Sequence, residues 1–240
     1  MTSHLFAISF DARRPQAQAR FWAGVLGRQP ADDPGDGAAV LPGDGVGYRI
    51  RFLPSPEPKV VPNRMHFDLT STSLADQQET VARALRLGAE HIDVGQLPEE
   101  EHVVLADPEG NEFDVIEPGN KFLAGCGFIG ALACDGSQEV GYFWSAALGW
   151  PLVWDQDLET AIQSPHGGTK ITWGGPPQEP KVGKGRVHFD LAPPAGGDQQ
   201  AEVDRLLSLG ATPADIGQGE TDWVVLADPD GNEFCVLTPR

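Results

Sequence analysis

The chain has 240 residues with 40% hydrophobic side chains but no apolar run near the ~18 residues a membrane-spanning helix needs, which excludes a protein anchored by such helices. Its 17 basic and 35 acidic residues leave a net charge of -18, a surface that repels phosphate backbones and anionic lipid, so neither nucleic acid nor membrane is expected as a partner. Cys126, Cys134 and Cys235 have no paired spacing, which argues against a disulfide framework or zinc knuckle, and without a basic, apolar leader the expected location is a reducing cytoplasm.

Residues 4–10 (HLFAISF) are a run of strand formers with Phe6, Ile8 and Phe10 on one face. Pro15 suits a first helical position, and Phe21, Trp22, Val25 and Leu26 form an apolar stripe that Gly27 ends, predicting a helix over 15–26. A stretch punctuated by Gly and Pro follows, with two or three short strands ending at 48–53. The run 64–69 (RMHFDL) is a further strand. Met65, Phe67 and Leu69 form its helix-facing set, so Arg64, His66 and Asp68 face the other way. The next helix carries Leu74, Val81 and Leu85 and ends in Leu-Gly-Ala at 87–89. Strands at 102–106 and 112–116 flank the turn 107–111 (DPEGN), which makes them a hairpin. Asp107, and later Asp228, read as residues required by that turn rather than as catalytic acids.

The hairpin 103–118 (VVLADPEGNEFDVIEP) recurs at 224–239 (VVLADPDGNEFCVLTP), identical at twelve of sixteen positions. RMHFDL recurs as RVHFDL at 186–191, and the FW pair of the first helix recurs as Phe143 and Trp144, both 122 residues later. The chain is therefore two copies of one unit, a first domain over 1–118 and a second over 126–240, with 119–125 as the linker. Each unit is itself doubled, as strand, helix and two or three strands taken twice.

Two βαβββ modules per unit, the FW pair before Leu-Gly, the His-x-Asp-Leu strand and the DP-(D/E)-G-N-E-F hairpin together resemble the vicinal oxygen chelate superfamily, in its glyoxalase-like and bleomycin-resistance branch. The resemblance covers nearly the whole chain. It implies an α+β fold of tandem domains, each a cup-shaped open barrel of eight strands. Members of that fold range from metalloenzymes to drug-binding proteins, so the fold does not decide the activity.

In the metal-dependent members a divalent ion is held by His and carboxylate side chains at several strand ends, with positions left open for substrate oxygens. His66 and His188 fall on ligand positions of the family, and Asp114 stands where the family has a metal-binding Glu; in the second copy that place holds Cys235. Asp68 and Asp190 share a face with the two histidines. The first-strand ligand position falls near Leu5 and Gly127, which cannot coordinate through a side chain, and the 48–53 strand offers Arg51 but no carboxylate. With only His66 and Asp114 in hand, a catalytic metal lacks its usual third ligand.

The tryptophans give a second signal. Trp22 and Trp144 read as core residues. Trp150, Trp154 and Trp173 occur only in the second copy, where aromatic walls suit a flat ligand. No nucleophile-elbow, phosphate-loop or dinucleotide motif is present. The favoured expectation is a metal-free cup that sequesters an aromatic or cationic compound, with antibiotic resistance as the biological role. Its site residues would be His66, Asp68, Arg51, Asp114, Trp154, Trp173, His188, Asp190 and Cys235, and it has no cofactor. The alternative is a divalent-metal lyase, isomerase or dioxygenase using His66 and Asp114. Two fused units satisfying each other's interfaces predict a monomer.

Overall fold

The structure, a computed structural model, describes residues 2–43, 47–97, 99–176 and 181–240. Four βαβββ modules follow one another. The first comprises β1 (His4–Ala12), α1 (Pro15–Leu26), β2 (Pro30–Asp33), β3 (Gly37–Val40) and β4 (Arg49–Pro54). The second comprises β5 (Met65–Leu69), α2 (Leu74–Leu87), β6 (Glu90–His91), β7 (Val103–Ala106) and β8 (Glu112–Val115). The third comprises β9 (Ile129–Cys134), α3 (Gln138–Leu148), β10 (Leu152–Gln156), β11 (Glu159–Gln163) and β12 (Lys170–Trp173). The fourth comprises β13 (Val187–Ala192), α4 (Gln199–Ser208), β14 (Thr212–Pro213), β15 (Val224–Ala227) and β16 (Glu233–Val236).

The predicted helix over 15–26 forms as expected, with Pro15 at its start and Gly27, at φ 64°, as a left-handed cap. Ser73, Ser137 and Asp198 cap the other three helices with side-chain oxygens. No described helix is long and apolar enough to cross a membrane.

The strands form two open, mixed sheets of eight, ordered β14-β15-β16-β13-β1-β4-β3-β2 and β10-β11-β12-β9-β5-β8-β7-β6. Each sheet joins one module from each repeat: β1 pairs antiparallel with β13, and β5 antiparallel with β9. Helix packing explains the crossing. Trp22 of α1 meets Phe67 and Phe113 of the second module edge-on at 5.4 and 5.0 Å, and its indole N–H donates to Asp107 Oδ2 at 3.1 Å. Trp144 repeats this with Phe189, Phe234 and Asp228. Modules of one repeat thus pack through their helix-side faces, and their strands lie in different sheets.

Asp107 also accepts the backbone N–H groups of Glu109 and Asn111 and the side-chain amides of Gln18 and Asn111. It is a buried turn anchor, as the hairpin spacing predicts. A correction falls on β1. The register shifts between Leu5 and Ala7, so Leu5, Ile8 and Phe10 enter the core, while Phe6 turns to the opposite face against Cys235 and Leu237. Neither Leu5 nor a regular phase through Phe6 therefore marks the concave position; Ser9 does.

Candidate functional site

On the sheet centred on β5 and β9, alternation buries Met65, Phe67 and Leu69 and turns His66 and Asp68 to the concave side. β8 runs parallel to β5 with Asp114 paired to Asp68, and its Phe113 and Val115 are buried in turn. His66 Nε2 lies 3.4 Å from Asp68 Oδ1 and 3.6 Å from Asp114 Oδ2, and one donor atom from each of the three lies within 4.8 Å of the others. His102, just before β7, places Nε2 4.0 Å from Asp114 Oδ2. The four side chains are partly exposed, so this cup is accessible. Asp68 Oδ1 is buried without a hydrogen-bond partner.

Burial alone would depress the His66 pKa, but Asp68, Asp114 and Asp135 outweigh it and raise it to about 9. Burial and the neighbouring Asp68 charge raise Asp114 to about 6, against the pull of His66 and His102. The cluster is thus an acidic pair whose nearest positive charge is the imidazole itself.

The third module lines the rest of this cup with Ala133 opposite His66 and Ala131 opposite Asp68, then Lys170 and Thr172 on β12. The linker 119–125 lies against it. Leu123 packs with Ile116 and Ala131, the Lys170 ammonium donates to Phe122 O and lies 4.4 Å over its ring, and Phe122 meets Trp154 edge-on at 5.9 Å. A cavity of about 660 Å³ opens beside Phe122, Trp154, Lys170 and Thr172.

The other cup has the same frame and different chemistry. His188, Asp190 and Cys235 bring donor atoms within 4.8 Å of one another, but all three are buried. Asp190 Oδ2 accepts from Ser9 Oγ and from Arg51 Nη1, each at 2.6 Å, and the same guanidinium binds Asp33 Oδ2 through Nε and Nη2. Burial opposes charge on His188, yet Cys235 and Asp190 raise its pKa to about 10. Burial pushes Asp190 up, but His188, Arg51 and Ser9 bring it below the ordinary carboxylate value. Phe6, Ala214, Ile216 and Leu237 pack over Cys235, and Arg49 and Arg240 lie over the Phe6 ring.

The residues singled out from the sequence therefore fall into three places. His66, Asp68 and Asp114 meet in the accessible cup with Trp154 at its rim. Arg51, His188, Asp190 and Cys235 meet in the sealed one. Trp173 is a correction: β12 turns Lys170 and Thr172 to the cup, so Trp173, 1% exposed, fills the core with Ile171 and gives only its edge to the cavity. Ser9, Asp33 and His102 were missed. Ser9 falls on the cup face by alternation with Ile8 and Phe10, but a lone serine there carries no ligand signal, and Asp33 lies on a short strand without periodicity. His102 stands at the unpatterned end of a strand, and no sequence signal marks it.

A divalent ion fits the first cup and not the second. Ligands about 2.1 Å from a tetrahedral ion lie about 3.4 Å from one another, close to the His66 separations, and Asp68 Oδ1 has no neighbour nearer than His66 Nε2 among its side-chain ion pairs. In the second cup the buried Arg51 guanidinium bridges Asp190 and Asp33, His188 adds a second positive charge beside Asp190, and together they would repel a further cation.

The family model of the glyoxalase-like domain matches residues 7–116 and again 130–237. Glyoxalase I from Zea mays superposes with a TM-score of 0.66 at 12% identity, covering 99% of this chain and 92% of its own. A Bacillus subtilis protein assigned as a dioxygenase superposes with a TM-score of 0.62 at 17% identity, covering 99% of this chain and 85% of its own. At such identities the likeness is one of fold. No curated protein matches the chain.

Proposed function

Because the chain belongs to the glyoxalase-like domain family of the vicinal oxygen chelate superfamily, with a copy in each repeat, we propose that it binds a small molecule in the β5–β9 cup through a cation held by His66, Asp68 and Asp114. The observation that carries this reading is the trio of converging donors, one imidazole and two carboxylates within 4.8 Å of one another. Asp68 supplies the third ligand that His66 and Asp114 lack, because it follows His66 on the same face of one strand.

The donor set of one imidazole and two carboxylates suits a divalent metal, which would supply Lewis-acid polarisation of a substrate oxygen. The protein's own groups do the rest. His102 stands within 4.0 Å of Asp114 and orients it. Ala131 and Ala133 leave room above the cluster, and the Phe122–Trp154 pair offers aromatic area at the rim. The sealed β1–β13 cup serves as scaffold, with Arg51 as its permanent internal cation.

A second reading rests on Lys170 and Thr172, which stand in the third module where further ligands would be expected. In it the carboxylates receive the charged end of an aromatic organic cation without metal, and antibiotic resistance by sequestration is the corresponding role.

Metal analysis after incubation with Zn2+, Mn2+, Fe2+ or Ni2+ and dialysis separates the two. The metal reading expects near one ion per chain, lost in Asp68→Asn/Asp114→Asn and kept in His188→Gln. Metal content near zero, with a thermal shift from aromatic ammonium compounds that the same double variant abolishes, would establish the second reading instead.

A further inference from the structure

Outside both cups a cavity of about 530 Å³ lies where the start of β1 meets the third module. Its walls are Ser3, His4, Tyr48, Trp150, His166 and Thr169, with the C-terminal end of α3 beneath Trp150. Two features mark it as built rather than incidental. Its volume is that of a small-molecule site.

The second feature is a divergence between repeats. Trp150 stands where the first repeat has Arg28, immediately after the matching left-handed glycine cap. Its backbone is fixed at both ends: Trp150 N–H donates to Ser145 O, and Ser145 Oγ donates to Trp150 O at 2.7 Å.

The chemistry of the walls selects the ligand. Among the described lining residues none is Asp, Glu, Lys or Arg, in a chain whose net charge is -18. Tyr48 donates to Thr169 Oγ1 at 3.1 Å, which donates on to Ile129 O, and burial pushes the phenol up to about 12, so it stays neutral. Burial also lowers the His4 pKa, which favours its neutral form. An aromatic wall, hydroxyls and the neutral His4 imidazole suit an uncharged ring compound with a hydroxyl or carbonyl group.

We propose that this inter-module cavity is a second small-molecule site, for a neutral, flat, hydroxylated aromatic ligand stacked on Trp150 beside His4. It is independent of the cation cup and of the function assigned there.

The test uses 2-naphthol as probe, with 2-naphthoate and 2-naphthylmethylammonium as charged controls. In protein labelled with 5-fluorotryptophan, 19F NMR of the six tryptophans should show 2-naphthol shifting the Trp150 resonance, assigned from Trp150→Phe. Calorimetry should show at least tenfold weaker binding in Trp150→Arg, the residue of the first repeat, unchanged binding in Asp68→Asn/Asp114→Asn, and at least tenfold weaker binding of both charged controls. No saturable 2-naphthol binding, binding that survives Trp150→Arg, or binding lost only in the double variant would each overturn the proposal.

Discussion

Arg51 Nη1 lies 2.6 Å from Asp190 Oδ2, joining residues 139 positions apart across the seam between β4 and the β1–β13 pair. The same guanidinium holds Asp33, and both carboxylates are almost fully buried. Removing Arg51 would leave buried Asp33 without its cation and Asp190 with only His188 and Ser9 as partners. Breaking a buried pair in this way costs about 3–5 kcal/mol, far more than loss of a surface ion pair. Arg51→Ala should therefore lower the urea midpoint sharply, and Arg51→Ala/Asp33→Asn/Asp190→Asn should recover much of the loss. If the single variant unfolds at the wild-type midpoint, the guanidinium is not the charge that closes this cup.

Trp22 and Asp107 form the equivalent link on the helix side, with Trp144 and Asp228 repeating it. In Asp107→Asn an amide N–H would face the Gln18 and Trp22 donors that now bind Oδ2. A loss of about 2–4 kcal/mol is expected, from buried hydrogen bonds to a charged acceptor. Asp228→Asn should cost less, since Gln18 has no counterpart among the partners of Asp228. Denaturant melts of the two variants decide the order.

Because β1–β13 and β5–β9 each join the two repeats, both eight-stranded sheets are complete within one chain. No second copy is needed to finish a cup. Light scattering should give a mass near 25.7 kDa, and a mass of twice that value would show that a further interface exists.

The sequence carried the fold because its signals are local and repeated. Pro15, the FW pair and Gly27 delimit α1, and DPEGN closes the β7–β8 hairpin. Alternation in RMHFDL placed His66 and Asp68 on the concave face. What remained hidden is what depends on distant pairing. The bulge at Leu5–Ala7 sends Leu5 into the core and Phe6 to the cup, the reverse of what alternation along β1 predicts. That Arg51 meets Asp190 while His66 belongs to the other cup follows from which modules share a sheet, and no periodicity within a module encodes that. Trp173 was misplaced for a smaller reason: the phase of a four-residue strand is set by its neighbours β9 and β11.

The His66 cluster also makes a prediction about pH. The folded-state pKa of His66 is about 9, above its ordinary 6.5, so its contribution to stability is full below pH 6.5 and is lost as pH rises through about 9. Asp114, raised from 3.8 to about 6, acts in the same direction at lower pH: the folded chain holds its proton more tightly, and that advantage is gone above about pH 6. Both groups therefore make chelator-treated protein less stable as the pH rises from 4 to 9. Urea midpoints at pH 6, 7.5 and 9 should fall steadily in the wild type. In Asp68→Asn/Asp114→Asn the two nearer carboxylates that raise His66 are gone and only Asp135 remains, so the fall between pH 6.5 and 9 should flatten. Parallel slopes for the two proteins would mean that His66 does not carry the extra proton, and that the acidic pair is less tightly coupled to it than the 3.4 and 3.6 Å separations imply.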